Sequence, residues 1–144
     1  MEIWSIKVSQ ILEGVGVSYG FSRALDIHYE AAITRVTGEL QREGFGILTE
    51  IDVKDTLKKK LDVDFRKYII LATCNPPFAH QSLQAEREIG LLLPCNVIVY
   101  EDDSGKTLVS AIDPVGAVGM IDNEKLREIA AQVAVMLKKV IESL

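Results

Sequence analysis

The spacing of apolar residues changes period several times in the first part of the chain, and each change predicts a new element. Residues 17–27 alternate between apolar and polar or glycine positions, which predicts a first strand. From residue 28 to residue 43 the apolar positions follow the i, i+3, i+4 spacing of an amphipathic helix, which Gly44 can end in a left-handed conformation. Residues 1–14 fit a strand or a helix, because their apolar positions satisfy both periods.

The middle of the chain predicts two further strands and two short helices. Residues 45–51 alternate as a second strand, and Asp52 can cap a short helix over residues 53–61. Residues 68–74 form a continuous apolar run of strand length, which is typical of a strand covered on both faces or buried centrally in a sheet. Residues 78–85 can then form two helical turns.

The last third predicts a hairpin and a long helix. Residues 97–101 and 107–112 are predicted strands, joined by a polar loop whose glycine can take a positive φ. From residue 124 onwards the apolar positions mark a long amphipathic helix, capped by Asp122 or Asn123. An α+β two-layer sandwich, with a mainly antiparallel sheet and helices packed on one face, connects these elements with the fewest crossings. A doubly wound parallel sheet is the alternative.

Composition and charge narrow the classes of partner. The chain has 144 residues, which is near the modal size of a single domain. Its 16 Lys and Arg against 21 Asp and Glu give a net charge of −5, interspersed along the sequence, and such a surface repels a nucleic-acid backbone. No apolar run reaches the roughly 18 residues of a membrane helix, and no secretory signal is recognisable. We therefore expect a cytoplasmic protein without nucleic-acid or membrane partners.

The common catalytic signatures are absent from the sequence. The glycines between residues 14 and 20 have neither the spacing nor the following helix of a dinucleotide-binding loop, and no Walker A, G-x-S-x-G or H-E-x-x-H motif occurs. His80 lies two residues from Ser82, a spacing that does not bring the two side chains together on a helix. The sequence thus assigns no catalytic residue, leaves open whether the protein is an enzyme, and leaves any cofactor unknown.

Two Pro-flanked cysteines carry the most specific local chemistry. Asn75 is a favoured helix cap and Pro76 suits the first helical position, so Cys74 is predicted just outside a helix N-terminus. Free N–H groups and the helix dipole can stabilise a thiolate there. Pro94 holds the chain extended before Cys95, which we expect to start the next strand at the same end of the sheet. The two thiols can then face each other.

Both cysteines can instead be structural residues of the core. Free cysteine behaves as a small hydrophobe and is often buried, which makes this the commoner case. No metal site is predicted, because two thiols and His80 give only three donors without C-x-x-C spacing. Asp113, rigidified by Pro114 after the last strand, can add a charge beside the cysteines, although a carboxylate at a strand end is usually a turn residue.

Four motifs carry a family resemblance, and they lie at residues 44–53, 71–76, 91–97 and 113–114. With these motifs the chain resembles the small bacterial and archaeal proteins grouped as "domain of unknown function 302". The resemblance covers about residues 17–144 as one α+β domain and leaves residues 1–16 as an N-terminal extension. It implies a sheet-and-helix fold similar to the TATA-box-binding-protein class, and it implies no reaction, ligand or cofactor.

Two functions from different classes follow. The first is a non-enzymatic module that binds a small molecule or assembles as a homodimer, in which the apolar stretch 89–93, assigned to no regular element, lines a pocket or a subunit seam. The second is a thiol-based redox or sulfur-handling protein, with Cys74 as the thiolate and Cys95 as its partner. We prefer the binding module because it requires the fewest assumptions. Its candidate ligand-binding residues are Cys74, Asn75, Pro76, Pro94, Cys95 and Asp113.

Overall fold

The strands and helices follow the predicted order along the chain. The computed structural model of the protein describes residues 19–144, so the predictions for residues 1–16 lie outside the described part. Its elements are β1 (Gly20–Leu25), α1 (Tyr29–Arg42), β2 (Gly46–Asp52), α2 (Val53–Leu61), β3 (Tyr68–Cys74), α3 (Pro76–Ala85), a 3₁₀ helix (Arg87–Leu92), β4 (Cys95–Glu101), β5 (Thr107–Ile112), α4 (Pro114–Ala117) and α5 (Glu124–Glu142).

The five strands form one antiparallel sheet in the order β1-β5-β4-β3-β2. Strands β2 to β5 pair with their neighbours in sequence. Strand β1 pairs with β5 and forms the edge of the sheet opposite β2. Helix α1 therefore connects strands at opposite edges of the sheet. The other edge strand, β2, carries a bulge between Ile47 and Thr49, and Leu48 within it is 65% exposed. The predicted antiparallel α+β architecture is confirmed, and the doubly wound parallel alternative is wrong.

The main core lies between one face of the sheet and helices α1 and α5. Successive strand residues point to opposite faces, and the register aligns Ile69, Val99 and Val109 in one row across three strands. The next row on the same face is Leu71, Val97 and Ala111. Both helices bury their apolar stripes in the same cluster, through residues that include Ala32, Val36, Leu40, Val133, Leu137 and Val140.

Local signals in the sequence fix several boundaries. Gly44 ends the first helix with φ +87° and Gly105 turns the hairpin with φ +84°, both as predicted. The side chains of Asp52 and Asn123 cap α2 and α5 by accepting backbone N–H bonds, at 2.9 and 3.0 Å. The sequence pattern therefore located these helix ends correctly. For α5 it predicted Asp122 or Asn123 as the cap, and Asn123 is the residue that caps it.

One apolar stretch differs from its expectation. The sequence assigns residues 89–93 to no regular element, but Arg87–Leu92 forms a 3₁₀ helix capped by Glu86, whose side chain accepts from the N–H of Glu88 at 3.1 Å. Within this helix Ile89 is buried and Leu91 is 83% exposed. A short apolar run does not distinguish a 3₁₀ helix from irregular chain, because six residues, about two turns, are too few to show a period. Within residues 19–144 no helix combines the length and hydropathy needed to cross a membrane.

The packing of α5 gives the first prediction. Leu137 is fully buried in the core, whereas Val135 on the same helix is 69% exposed. We expect Leu137→Ala to lower the free energy of unfolding by about 2–5 kcal/mol, because it removes buried methyl groups and leaves a cavity. The matched change Val135→Ala is expected to stay within about 0.5 kcal/mol of the wild type. Urea unfolding monitored by circular dichroism measures both, and equal effects would contradict the placement of the helix.

Candidate functional site

All five strands have a terminus at the same end of the sheet. Neighbouring strands are antiparallel, so β1, β2 and β4 begin where β3 and β5 finish: Gly46 pairs with Cys74, and Thr73 pairs with Cys95. Helix α3 begins directly after β3, and α4 begins directly after β5, at this same end. The topology therefore brings the residues predicted for the site to one place, although they are separated in sequence by up to 39 positions, from Cys74 to Asp113.

A cavity of about 310 Å³ opens at this end of the sheet. One part of its wall belongs to the main core and includes Phe45 and Val133. Another part belongs to a smaller satellite cluster, whose buried members within residues 19–144 are Ile89, Val118, Leu126 and Ala130. The cavity is thus lined by both hydrophobic clusters, which share helix α5.

The wall of the cavity is almost entirely apolar. Among the described residues that line it none carries a charged side chain, and the polar ones are Thr73, Asn75 and Ser82. The exposed leucines Leu48 and Leu83 also belong to the wall, at 65% and 45% exposure, so they mark the mouth. A volume of this size lies at the lower end of the range for small-molecule pockets, about 300–1,000 Å³.

Asn75 precedes α3 as predicted, but its side chain acts elsewhere. It occupies the cap position before Pro76 and makes no side-chain bond to the helix start. Instead its Nδ2 donates to the carbonyl oxygen of Glu43 at 3.1 Å. A Cβ on Gly44 would come within 3.2 Å of that nitrogen, so the glycine is required by this close approach as well as by its φ. Asn75 thereby joins the start of α3 to the end of α1.

The two cysteines do not face each other across the sheet. Cys95 pairs with Thr73, so their side chains lie on one face, and the alternation of side chains along β3 turns Cys74 to the other face. Both thiols are free, and both are half-buried in the wall of the cavity. The expected cysteine pair is therefore wrong, because a register offset of a single residue separates the two side chains.

The electrostatics of the site disfavour thiol chemistry at Cys95. Burial, and to a smaller extent the charge of the neighbouring Cys74, together raise the pKa of the Cys95 thiol to about 11. Cys95 is therefore protonated at neutral pH. At Cys74 the helix start is poorer in donors than a typical one, since Pro76 and Pro77 have no N–H to offer a thiolate. The candidate thiolate and its partner remain predictions.

Of the three remaining residues predicted for the site, one lines the cavity and two lie outside its lining. Pro94 lies in the wall, next to Cys95 and after a cis Leu93–Pro94 peptide bond. Pro76 and Asp113 are outside the lining. Asp113 caps α4 by accepting from the N–H of Val115 at 3.0 Å, which is the turn role that a carboxylate at a strand end usually has.

Sequence reasoning missed several wall residues. Thr73 and Ser82 are buried hydroxyl residues without a recognisable motif around them. Helix α5 was predicted with one continuous apolar stripe, and nothing in its period shows that the first two turns face a cavity while the later turns face the sheet. The available signal was indirect: the stretch 89–93 was predicted to line a pocket or a seam, and Ile89, Leu92 and Leu93 are in the cavity wall.

Sheet order, helix placement and an apolar end cavity together define a two-layer α+β domain. Residues 21–144 match the family model described as "Domain of unknown function DUF302", so the chain belongs to this family and the resemblance seen in its motifs is confirmed. The chain is also similar to a crystal structure of an uncharacterized conserved DUF302 protein from Bacillus stearothermophilus, with 30% identity and a TM-score of 0.81. The similarity covers 88% of this chain and 98% of that chain. No functionally curated protein matches the sequence.

The raised pKa of Cys95 gives a prediction about stability. The folded-state pKa of Cys95, about 11, lies above the ordinary value of 9.0. The contribution of this thiol to the free energy of unfolding is therefore complete below pH 9 and is lost as the pH rises towards 11. Between pH 8 and pH 10 the wild type should lose about 1 kcal/mol of unfolding free energy relative to Cys95→Ala. Val97→Ala, a buried change on the same strand without a titrating group, serves as the control. Parallel pH profiles for wild type and Cys95→Ala would contradict the burial of this thiol.

Proposed function

We propose that the protein is a non-enzymatic binding module that takes an uncharged, largely apolar small molecule into the cavity at the end of its sheet. The observation that carries the proposal is a cavity of about 310 Å³ whose described wall has no charged side chain. Burying a charged ligand group there would remove its hydration without supplying a partner, whereas burying apolar surface is favourable. The cavity therefore selects for apolar ligands.

The surroundings of the cavity support this proposal. Thr73, Asn75 and Ser82 each donate a hydrogen bond within the protein, so the wall is ordered before a ligand arrives. Preorganised walls favour binding because less conformational entropy is lost on association. The exposed Leu48 and Leu83 at the mouth give an apolar entry from solvent. A ligand that bridges the main core and the satellite cluster would also stabilise the fold.

Binding is tested with naphthalene as a neutral apolar probe. We expect it to bind the wild type with a negative heat-capacity change in isothermal titration calorimetry and to raise the melting temperature. Ala130 lies in the wall and is buried, whereas the adjacent Ala131 is exposed. Ala130→Leu should fill part of the cavity and weaken binding at least tenfold, while Ala131→Leu should bind as the wild type does. No binding to the wild type, or equal binding by the two variants, would refute the proposal.

A homodimer is the second proposal, and the exposed leucines near the mouth favour it. Leu91 is 83% exposed and Leu48 is 65% exposed, although both are large apolar side chains. A second copy of the chain seated on this end of the sheet would remove them from water. The thiol-based alternative has no comparable support, because Cys74 and Cys95 point to opposite faces.

Sedimentation equilibrium at tens of micromolar tests the dimer. We expect a dimer that Leu91→Glu weakens, because the substitution places a charge in the apolar contact. Val135→Glu, an equally drastic change at a 69% exposed position on α5, is the matched control and should leave the mass unchanged. A strict monomer in the wild type would contradict this proposal while leaving the binding of naphthalene unaffected.

A further inference from the structure

Two hydroxyl groups of residues in the cavity wall donate their hydrogens to backbone carbonyl oxygens of the protein. Thr73 is fully buried, and its Oγ1 donates to the carbonyl oxygen of Cys95 at 2.9 Å. Ser82 is 7% exposed, and its Oγ donates to the carbonyl oxygen of Phe78 at 2.8 Å. A hydroxyl has one hydrogen to donate and two lone pairs with which to accept. Ser82 can therefore act towards a ligand only as an acceptor while its bond to Phe78 persists, whereas Thr73, at 0% exposure, presents no atom to a ligand.

The same oxygens lack a donor inside the described part of the protein. Across residues 19–144 no side-chain or backbone donor forms a hydrogen bond to Thr73 Oγ1 or Ser82 Oγ. Buried polar atoms are normally satisfied by a protein group or by a bound molecule. At Ser82, which lines the cavity and keeps 7% exposure, this acceptor capacity is open to a ligand or to a water molecule.

Donors in the wall are correspondingly few. Pro76 and Pro77 begin α3 without N–H groups, so among its first three residues only Phe78 retains one. Asn75 Nδ2 donates to the carbonyl oxygen of Glu43 at 3.1 Å and to Met136 Sδ at 3.9 Å, and thiols such as that of Cys95 are weak donors. A carboxylate or another acceptor-only group would therefore find little to bind in this cavity.

We propose that the ligand is an uncharged, mainly apolar molecule with an O–H or N–H donor, and that the hydroxyl oxygen of Ser82 accepts that hydrogen bond. This inference rests on the proposed binding function and specifies its ligand class. A donor adds affinity here because it pairs with the free acceptor capacity of a buried oxygen, whereas an acceptor-only ligand leaves that capacity unused.

Indole and benzofuran form the matched pair of probes. They have the same bicyclic shape, but indole carries an N–H where benzofuran has an oxygen. By isothermal titration calorimetry we expect indole to bind the wild type about 3- to 10-fold more tightly, the range that one net hydrogen bond gives. Without an acceptor the order would reverse, because the N–H would lose its hydration on entering the cavity.

Three variants locate the acceptor. Ser82→Ala removes the hydroxyl oxygen with little change of shape and should erase the preference for indole while keeping the affinity for benzofuran. Thr73→Val removes a hydroxyl with 0% exposure and should keep the preference. Ser110→Ala is the control, since that hydroxyl pairs with Ser22 at 2.8 Å and lies outside the cavity wall. Circular dichroism verifies folding, and the comparison of the two probes on the wild type does not depend on any variant.

The outcomes separate the two levels of the proposal. If neither probe nor naphthalene binds, the binding function itself is refuted. If both bicyclic probes bind with equal affinity, or benzofuran binds more tightly, the apolar site stands and the donor-bearing ligand class is wrong. A preference for indole that survives in Ser82→Ala would overturn the assignment of Ser82 as the accepting group.

Discussion

The apolar stripe of helix α5 is the feature on which both hydrophobic clusters depend. Its later turns, through Leu137 and Val140, complete the main core against the sheet. Its first turns, through Leu126 and Ala130, complete the satellite cluster with Ile89. One helix therefore supports two clusters, and the cavity exists because the 3₁₀ helix and α4 meet α5 without filling the space up to the end of the sheet.

The architecture could be predicted because its determinants are local. Period 2 and period 3.6 in the apolar pattern marked the strands and long helices, while Gly44 and Gly105 marked turns that need positive φ. The preference of protein chains for few crossings then favoured an antiparallel sheet. The exception was Arg87–Leu92, a six-residue 3₁₀ helix of about two turns, which is too short to produce a period.

The candidate site was only partly predictable, because its chemistry depends on register. The sequence places Cys74 and Cys95 at the same end of the sheet, but the alternation of side chains decides whether they share a face, and a shift of one residue reverses the answer. Asn75 shows a similar limit: it has the residue type and position of a cap, yet a carbonyl from the end of α1 competes for its side chain. Contacts between distant elements determine both the faces of the two cysteines and the partner of Asn75, and sequence periodicity does not report such contacts.

The unequal size of the two clusters implies that stability is graded along a single helix. The satellite cluster has four buried members, whereas the main core has many more and is reinforced by the hydrogen-bonded sheet. Local opening free energies follow such differences in burial, so the N-terminal turns of α5 and the adjoining 3₁₀ helix form the less protected unit. Molecules can then enter the interior when this small unit opens briefly while the sheet stays intact. Access to the cavity therefore requires only local opening and no global unfolding.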